Sequence, residues 1–173
     1  MDAEELLRRY AAGERDFSRV KVDSSSLRDA ELSGIDLSGA ILFGAELDRA
    51  NLTGANLSRA KLGSAWLEGA NLAGANLSHA IVSDGALGDA DLSGADLSYA
   101  DLTECALSGA NLSGADLTGT LLGTPLLKGA NLTDVDLSRA SIYLPGGIEN
   151  PRLEGAIFCN TTLPDGTKIV SFF

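Results

Sequence analysis

The sequence predicts an all-β solenoid, a chain wound on four sides around a narrow core. Three observations predict it. From Phe17 to Ile142 every fifth residue is large and apolar, without exception in 26 positions. Two residues before each lies a second, smaller series, exemplified by Ala40, Ala45, Ala50, Ala55 and Ala60. The outward residue between them changes character with a period of twenty.

A period of five fits no straight element. On a helix each five-residue step rotates by ~140°, so the leucines would scatter around the axis. On a strand an odd step sends successive leucines to opposite faces. Both series stay inward only if the chain turns a corner in every repeat. The unit Ala-Asn/Asp-Leu-Ser-Gly supplies one, because Ser-Gly is turn chemistry and Gly tolerates unusual dihedrals.

The number of sides follows from the outward residues. Every twentieth residue gives Asp16, Asp36, Asn56, Asn76, Asp96, Asp116 and Asp136, and a second column gives Glu31, Asn51, Asn71, Asp91, Asn111 and Asn131. Both are polar throughout. Two others are mixed: Lys21, Ile41, Lys61, Ile81, Asp101, Leu121, Ser141, and Ser26, Glu46, Trp66, Ala86, Ala106, Leu126. A fifteen-residue coil would blend these columns, so four sides per turn follow. Six and a half such turns at ~4.8 Å, with the tail adding another, make a rod roughly 35 Å long. Each buried Leu is worth ~1.5–3 kcal/mol, which makes the leucine ladders the main source of stability.

In chain order, residues 1–14 read as a capping helix. Asp2 and Glu5 resemble a capping box, Gly13 suits the stop, and Leu6, Leu7 and Tyr10 share a face that would cover the first coil. Residues 15–142 are the uninterrupted array. Residues 143–151, with Pro145, Gly146, Gly147 and Pro151, read as a loop or bulge. Residues 152–173 are a final coil, one residue out of phase at Leu153, Phe158 and Leu163, with a C-terminal cap. The apolar end Ile169–Phe173 either folds back or pairs with a second chain, self-capping being favoured.

These repeats resemble the pentapeptide-repeat family over about residues 15–142, and the resemblance resumes near the C-terminus. It implies a right-handed quadrilateral β-helix. The segment Leu6–Phe17 is similar to the opening of cyanobacterial members, including a heterocyst-suppressing regulator, and Leu163–Thr167 is similar to their closing turn. The long protruding loops of the quinolone-resistance members that bind DNA gyrase have no counterpart here.

Composition narrows the function. The net charge of −11 disfavours direct binding to nucleic acid or anionic membranes. No apolar run approaches the ~20 residues that span a bilayer. The N-terminus carries acids where a signal peptide carries bases. Cys105 and Cys159 give neither a disulfide framework nor metal spacing, and Cys105 sits where the array places Ala. A reduced, cytoplasmic protein is expected. Catalytic, cofactor-binding and metal residues are not identified: the one histidine, His79, stands at a corner, and the serines are explained by the turns. Stacked Asp96, Asp116 and Asp136 are expected to repel, favouring protonation of one member.

Binding residues are sought where the consensus fails. On one side stand Ile41, Phe43, Ile81, Leu121 and Tyr143, and on the next Trp66 and Leu126. Trp66 is the single tryptophan, a residue type enriched in hot spots. Charge is uneven as well. No Lys or Arg lies between Leu62 and Leu127, and Glu68, Asp84, Asp89, Asp101 and Glu104 contribute to an acidic waist. The expected function is a non-catalytic, regulatory protein–protein interaction module acting through the two irregular faces. The alternative is a DNA-mimicking inhibitor or modulator of a type II topoisomerase. The first would use the apolar patch and the second the acidic waist. The expected partner is a protein, and the chain itself a monomer or a weak dimer through its C-terminal end.

Overall fold

The computed structural model describes residues 1–22 and 26–170. Parallel bridges join residues twenty apart on all four sides of a coil. Face A carries the Asp16–Asp36–Asn56–Asn76–Asp96–Asp116 ladder, and face B carries Lys21–Ile41–Lys61–Ile81–Asp101–Leu121. Face C carries Ser26–Glu46–Trp66–Ala86–Ala106–Leu126, and face D carries Glu31–Asn51–Asn71–Asp91–Asn111–Asn131. The two irregular faces, B and C, are therefore adjacent, as are the two regular ones.

One repeat shows why the unit has its composition. Asn56 N–H donates to Ile35 O in the coil below, at 2.9 Å. Leu57 N–H and Arg59 N–H donate upward to Asn76 O and Ser78 O, at 2.7 and 2.9 Å. Ala60 N–H closes the turn on Leu57 O at 3.0 Å. Ser58 N–H, the one donor left, is taken by the Asn56 side chain at 3.2 Å. All five donors are thus paired, as buried and half-buried backbone requires, and the Asn or Asp before each leucine is explained by the fifth.

The third turn residue has positive φ, and Gly34 at 64° meets it without a Cβ penalty. Arg59, His79 and Tyr99 adopt the same conformation at 58°. The stacked ladder thus enforces the corner even where glycine is absent.

Every member of the large apolar series from Phe17 to Leu137 is buried, and Ile142 packs against the upper end half-buried. Polar residues in the small inward series bond a carbonyl: Cys105 Sγ donates to Val82 O at 3.1 Å, and Thr120 Oγ1 to Leu97 O at 2.7 Å. Burial pushes the Cys105 thiol up to about 12. Cys105 is a packing residue.

Among the described residues the ladder is disturbed near the top of the array. Strand β1 (Leu121–Gly123) pairs in parallel with β2 (Ser141–Ile142), but the register shifts between Leu121 and Gly123. Pro125 occupies the inward small position and has no N–H to close the turn. Thr124 precedes it and is pushed from compact dihedrals, so positive φ moves back to Gly123.

Both ends are covered. Helix α1 (Ala3–Ala11) is capped by the Asp2 side chain, which accepts from Glu5 N–H at 2.8 Å. The Glu5 carboxylate pairs with Arg8 at 2.7 Å, so only half of the anticipated capping box forms. Leu6 is fully buried, and Tyr10 ties the helix to the array by donating to Ser33 O at 2.8 Å. At the other end Asn131 bridges Ile157 and Asp136 bridges Thr162, twenty-six residues apart rather than twenty. The six extra residues lie in the segment read as a loop, which contains the 3-10 turn Gly147–Glu149 and leads into a second at Pro151–Leu153. Strands β3 (Thr161–Thr162) and β4 (Lys168–Ile169) then pair antiparallel, and Ile169 is buried. The tail folds back as far as Ile169, while Ser171, Phe172 and Phe173 lie outside the described residues.

Candidate interaction surface

The regular faces A and D are sealed by their own polar ladders. Asn51 Nδ2 donates to Glu31 at 2.7 Å, Asn111 Nδ2 to Asp91 at 3.1 Å, and Asn131 Nδ2 to Asn111 at 3.1 Å. The same side chains accept turn N–H groups, for instance Ser78 to Asn76 and Ser98 to Asp96, both at 2.9 Å. Little of this polar chemistry is left for a partner.

Faces B and C differ. On face B, Ile81 and Leu121 are exposed, Ile41 is half-buried, and Lys61 and Asp101 interrupt the column. Phe43 is exposed at the B–C corner and its ring covers Gly63, where a Cβ would meet the ring at 2.9 Å. Tyr143 stands exposed at the top of the same corner column. On face C, Trp66 is 52% exposed and Leu126 is half-buried. Ala86 and Ala106, which the sequence places in this column but does not single out as binding candidates, link the two into an apolar column four coils long. Their small size concealed them, since alanine is the commonest inward residue of the repeat.

Departure from Asn and Asp has a cost. Trp66, Ile81, Ala86, Ala106, Leu121 and Leu126 cannot accept the turn N–H that an amide or carboxylate accepts elsewhere. Glu68 N–H instead reaches Asp48 of the coil below, at 3.2 Å. A net hydrogen bond is worth about 1 kcal/mol, so fold stability gives no reason for these apolar residues.

The acidic waist is not a separate surface, which corrects the expectation that patch and waist would divide two functions. Asp84 and Glu104 occupy the corner between faces B and C, and Asp101 lies in the face B column. Glu68 and Asp89 line the opposite corner of face C. Carboxylates and apolar side chains interleave because both occupy the turn and column positions that the consensus vacates.

Ion pairs lie above and below this zone. Arg28 bonds Asp48 at 2.9 Å and Glu46 at 3.4 Å, while Arg49 holds Asp29 at 2.7 Å and keeps that carboxyl below its ordinary value. Lys128 meets Glu154 at 2.9 Å. On face A, hydrogen bonds from the Ser138 hydroxyl and N–H hold Asp136 below the usual carboxylate range. The expected protonation within that ladder does not reach Asp136, because hydrogen bonding to the charged form outweighs desolvation there. His79 is exposed and stacks on Tyr99, with ring centroids 5.2 Å apart and 10° between planes. Among the described residues no group of His, Cys, Asp and Glu is arranged to hold a metal ion. No helix among them is long and apolar enough to cross a membrane.

Known proteins repeat this architecture. The family model described as pentapeptide repeats matches eight copies, over residues 23–59, 55–94 and 86–123. No curated protein sequence matches the chain. Among solved structures, the chain is similar to HetL, a pentapeptide repeat protein involved in heterocyst differentiation regulation from the cyanobacterium Nostoc sp. strain PCC 7120. Identity is 25% over 98% of this chain and 100% of that one, with a TM-score of 0.54. A second Nostoc PCC 7120 pentapeptide repeat protein, alr5209, is 32% identical over 83% of this chain and 97% of its own, with a TM-score of 0.41. QnrB1, a plasmid-mediated fluoroquinolone resistance protein, is 19% identical over 82% and 88% of the two chains, with a TM-score of 0.37. The chain belongs to the pentapeptide-repeat family and folds as its right-handed quadrilateral β-helix, closed at one end by a short helix.

Proposed function

We propose that this protein is a non-catalytic interaction module that binds a partner protein through faces B and C. One observation carries the reading: among the described residues of the array up to Leu137, exposed apolar side chains take positions where the fold rewards Asn and Asp on two adjacent faces, B and C, while on face D the exposed Ile157 belongs to the out-of-phase final coil. Trp66 is an anchor of the kind that interface hot spots use, and Ile81 and Leu121 add exposed apolar area on the adjoining face. The likeness to HetL across nearly the whole chain supports a regulatory role.

Trp66→Ala combined with Leu121→Ser tests this. Both side chains point outward, so thermal stability and circular dichroism should match the parent. Capture of the partner from a lysate of the source organism should be lost. Unchanged capture by the folded double variant would sink the proposal. If the retained partner were a topoisomerase subunit released by moderate salt, DNA mimicry by the carboxylates would replace it.

A further inference from the structure

We infer that the partner element seated on face C is a cationic amphipathic helix lying along the rod. This rests on the interaction-module reading and deepens it. Trp66, Ala86, Ala106 and Leu126 are bridged in succession, forming a straight apolar line with a large residue at each end and small ones between. Asp84 and Glu104 flank the line on one side, Glu68 and Asp89 on the other, and all four are exposed. No Lys or Arg lies along the chain between Leu62 and Leu127, and of the basic residues beyond that stretch Arg152 comes beside Glu104 and Leu126 at the upper end of the line. The line is bounded below by the Arg28–Asp48 and Arg49–Asp29 pairs, and above by Arg152, which donates to Thr124 O at 3.1 Å.

The period favours a helix. Coils rise by ~4.8 Å and helix turns by ~5.4 Å, so over three coil steps successive turns stay within ~2 Å of successive coils. A helix with apolar residues at i, i+3 or i+4 and i+7 would set its stripe on the alanine saddle between Trp66 and Leu126. Lys or Arg on both borders of that stripe would meet the two rows of carboxylates, as e and g charges flank a coiled-coil seam. An extended strand points alternate side chains away from the surface and leaves one row unmet.

Trp66, as the single tryptophan, reports occupancy directly. The probe is a synthetic helical peptide with a leucine stripe bordered by lysines, compared with one in which glutamates replace the lysines. The lysine peptide should shift Trp66 emission to the blue, and the glutamate peptide should not. Glu68→Gln, Asp84→Asn, Asp89→Asn and Glu104→Gln together should weaken lysine-peptide binding about tenfold, since each rim charge contributes modestly. Thr53→Lys, Ser93→Lys and Thr133→Lys at the D–A corner with Thr118→Lys at the A–B corner change net charge equally away from face C and should leave most of the affinity. Equal weakening by the two quadruple variants would reduce the effect to net charge and overturn the inference. Equal binding of both peptides, or of neither, would also overturn it while leaving the double-variant capture test of the broader reading intact. Ala86→Glu, pointing into the saddle, should abolish the shift in a protein that folds normally.

Discussion

Faces A and D share a core with faces B and C, yet spend their outward positions differently. On A and D the outward residue completes the fold: Asn76 accepts the Ser78 N–H, and Asn111 links to Asp91 of the coil below. On B and C the equivalent positions hold Trp66, Ile81, Ala106 and Leu121, which complete nothing in the chain itself. In a solenoid the inward residues build every side alike, so only the outward ones are free to differ between sides. The contrast between sealed and unsealed faces is where function separates from folding.

The contrast should vanish inside. Leu77→Ala beneath face A and Leu67→Ala beneath face C should each cost about 2–5 kcal/mol, because both side chains are buried in the same ladder system. Urea unfolding of the two variants checks this, and a clearly smaller loss beneath face C would mean that the irregular faces also weaken the core.

It should appear one layer out. Asn76→Ala removes the acceptor for Ser78 N–H and hydroxyl, at 2.9 and 2.7 Å, and is expected to cost about 1 kcal/mol. Ala86→Asn, which supplies the missing acceptor on face C, is expected to stabilise by somewhat less than about 1 kcal/mol. Opposite shifts in urea midpoint would sharpen the comparison, and shifts of the same sign would break it.

Acid should act on the carboxylate caps. Asp16 and Asp136 have folded pKa values below the ordinary 3.8, owing to hydrogen bonds from Ser18 and Ser138. A depressed folded value contributes stability that is complete above the unfolded value and is lost as pH falls through the folded one. Melting temperatures should therefore decline below about pH 4. Asp136→Asn, which keeps an acceptor and carries no charge, should flatten that decline while changing little at neutral pH. An equally steep acid limb in the variant would assign the effect to other groups.

The smallest effects belong to the unsealed faces. Trp66→Ala and Leu121→Ser should each move stability by no more than about 0.5 kcal/mol, as exposed positions without a structural bond do. A loss of several times that size would make them structural residues.

The N-terminal cap was readable from Asp2, Leu6 and Gly13, and the helix forms at Ala3–Ala11 with Asp2 as its cap. The Glu5 half of the capping box was not, because Arg8 lies one turn on and competes for the carboxylate. The one-residue phase change at Leu153 was visible in the spacing. The two 3-10 turns that absorb it were not, because irregular backbone leaves no period to read. The exposed anchors Trp66, Ile81 and Leu121 stood out from their columns, whereas Ala86 and Ala106 did not.

By itself the sequence determined the coil. An apolar residue at every fifth position admits no straight element, and twenty-residue columns admit four sides. Both facts are one-dimensional, so one dimension sufficed. Only the tertiary structure decided how the corner residues border the columns. Asp84 and Glu104 lie far along the chain from Trp66 and Glu68, yet all four border one face because each turn of the solenoid returns the chain to the same side ~4.8 Å higher. Acidic waist and apolar patch became a single surface for that reason.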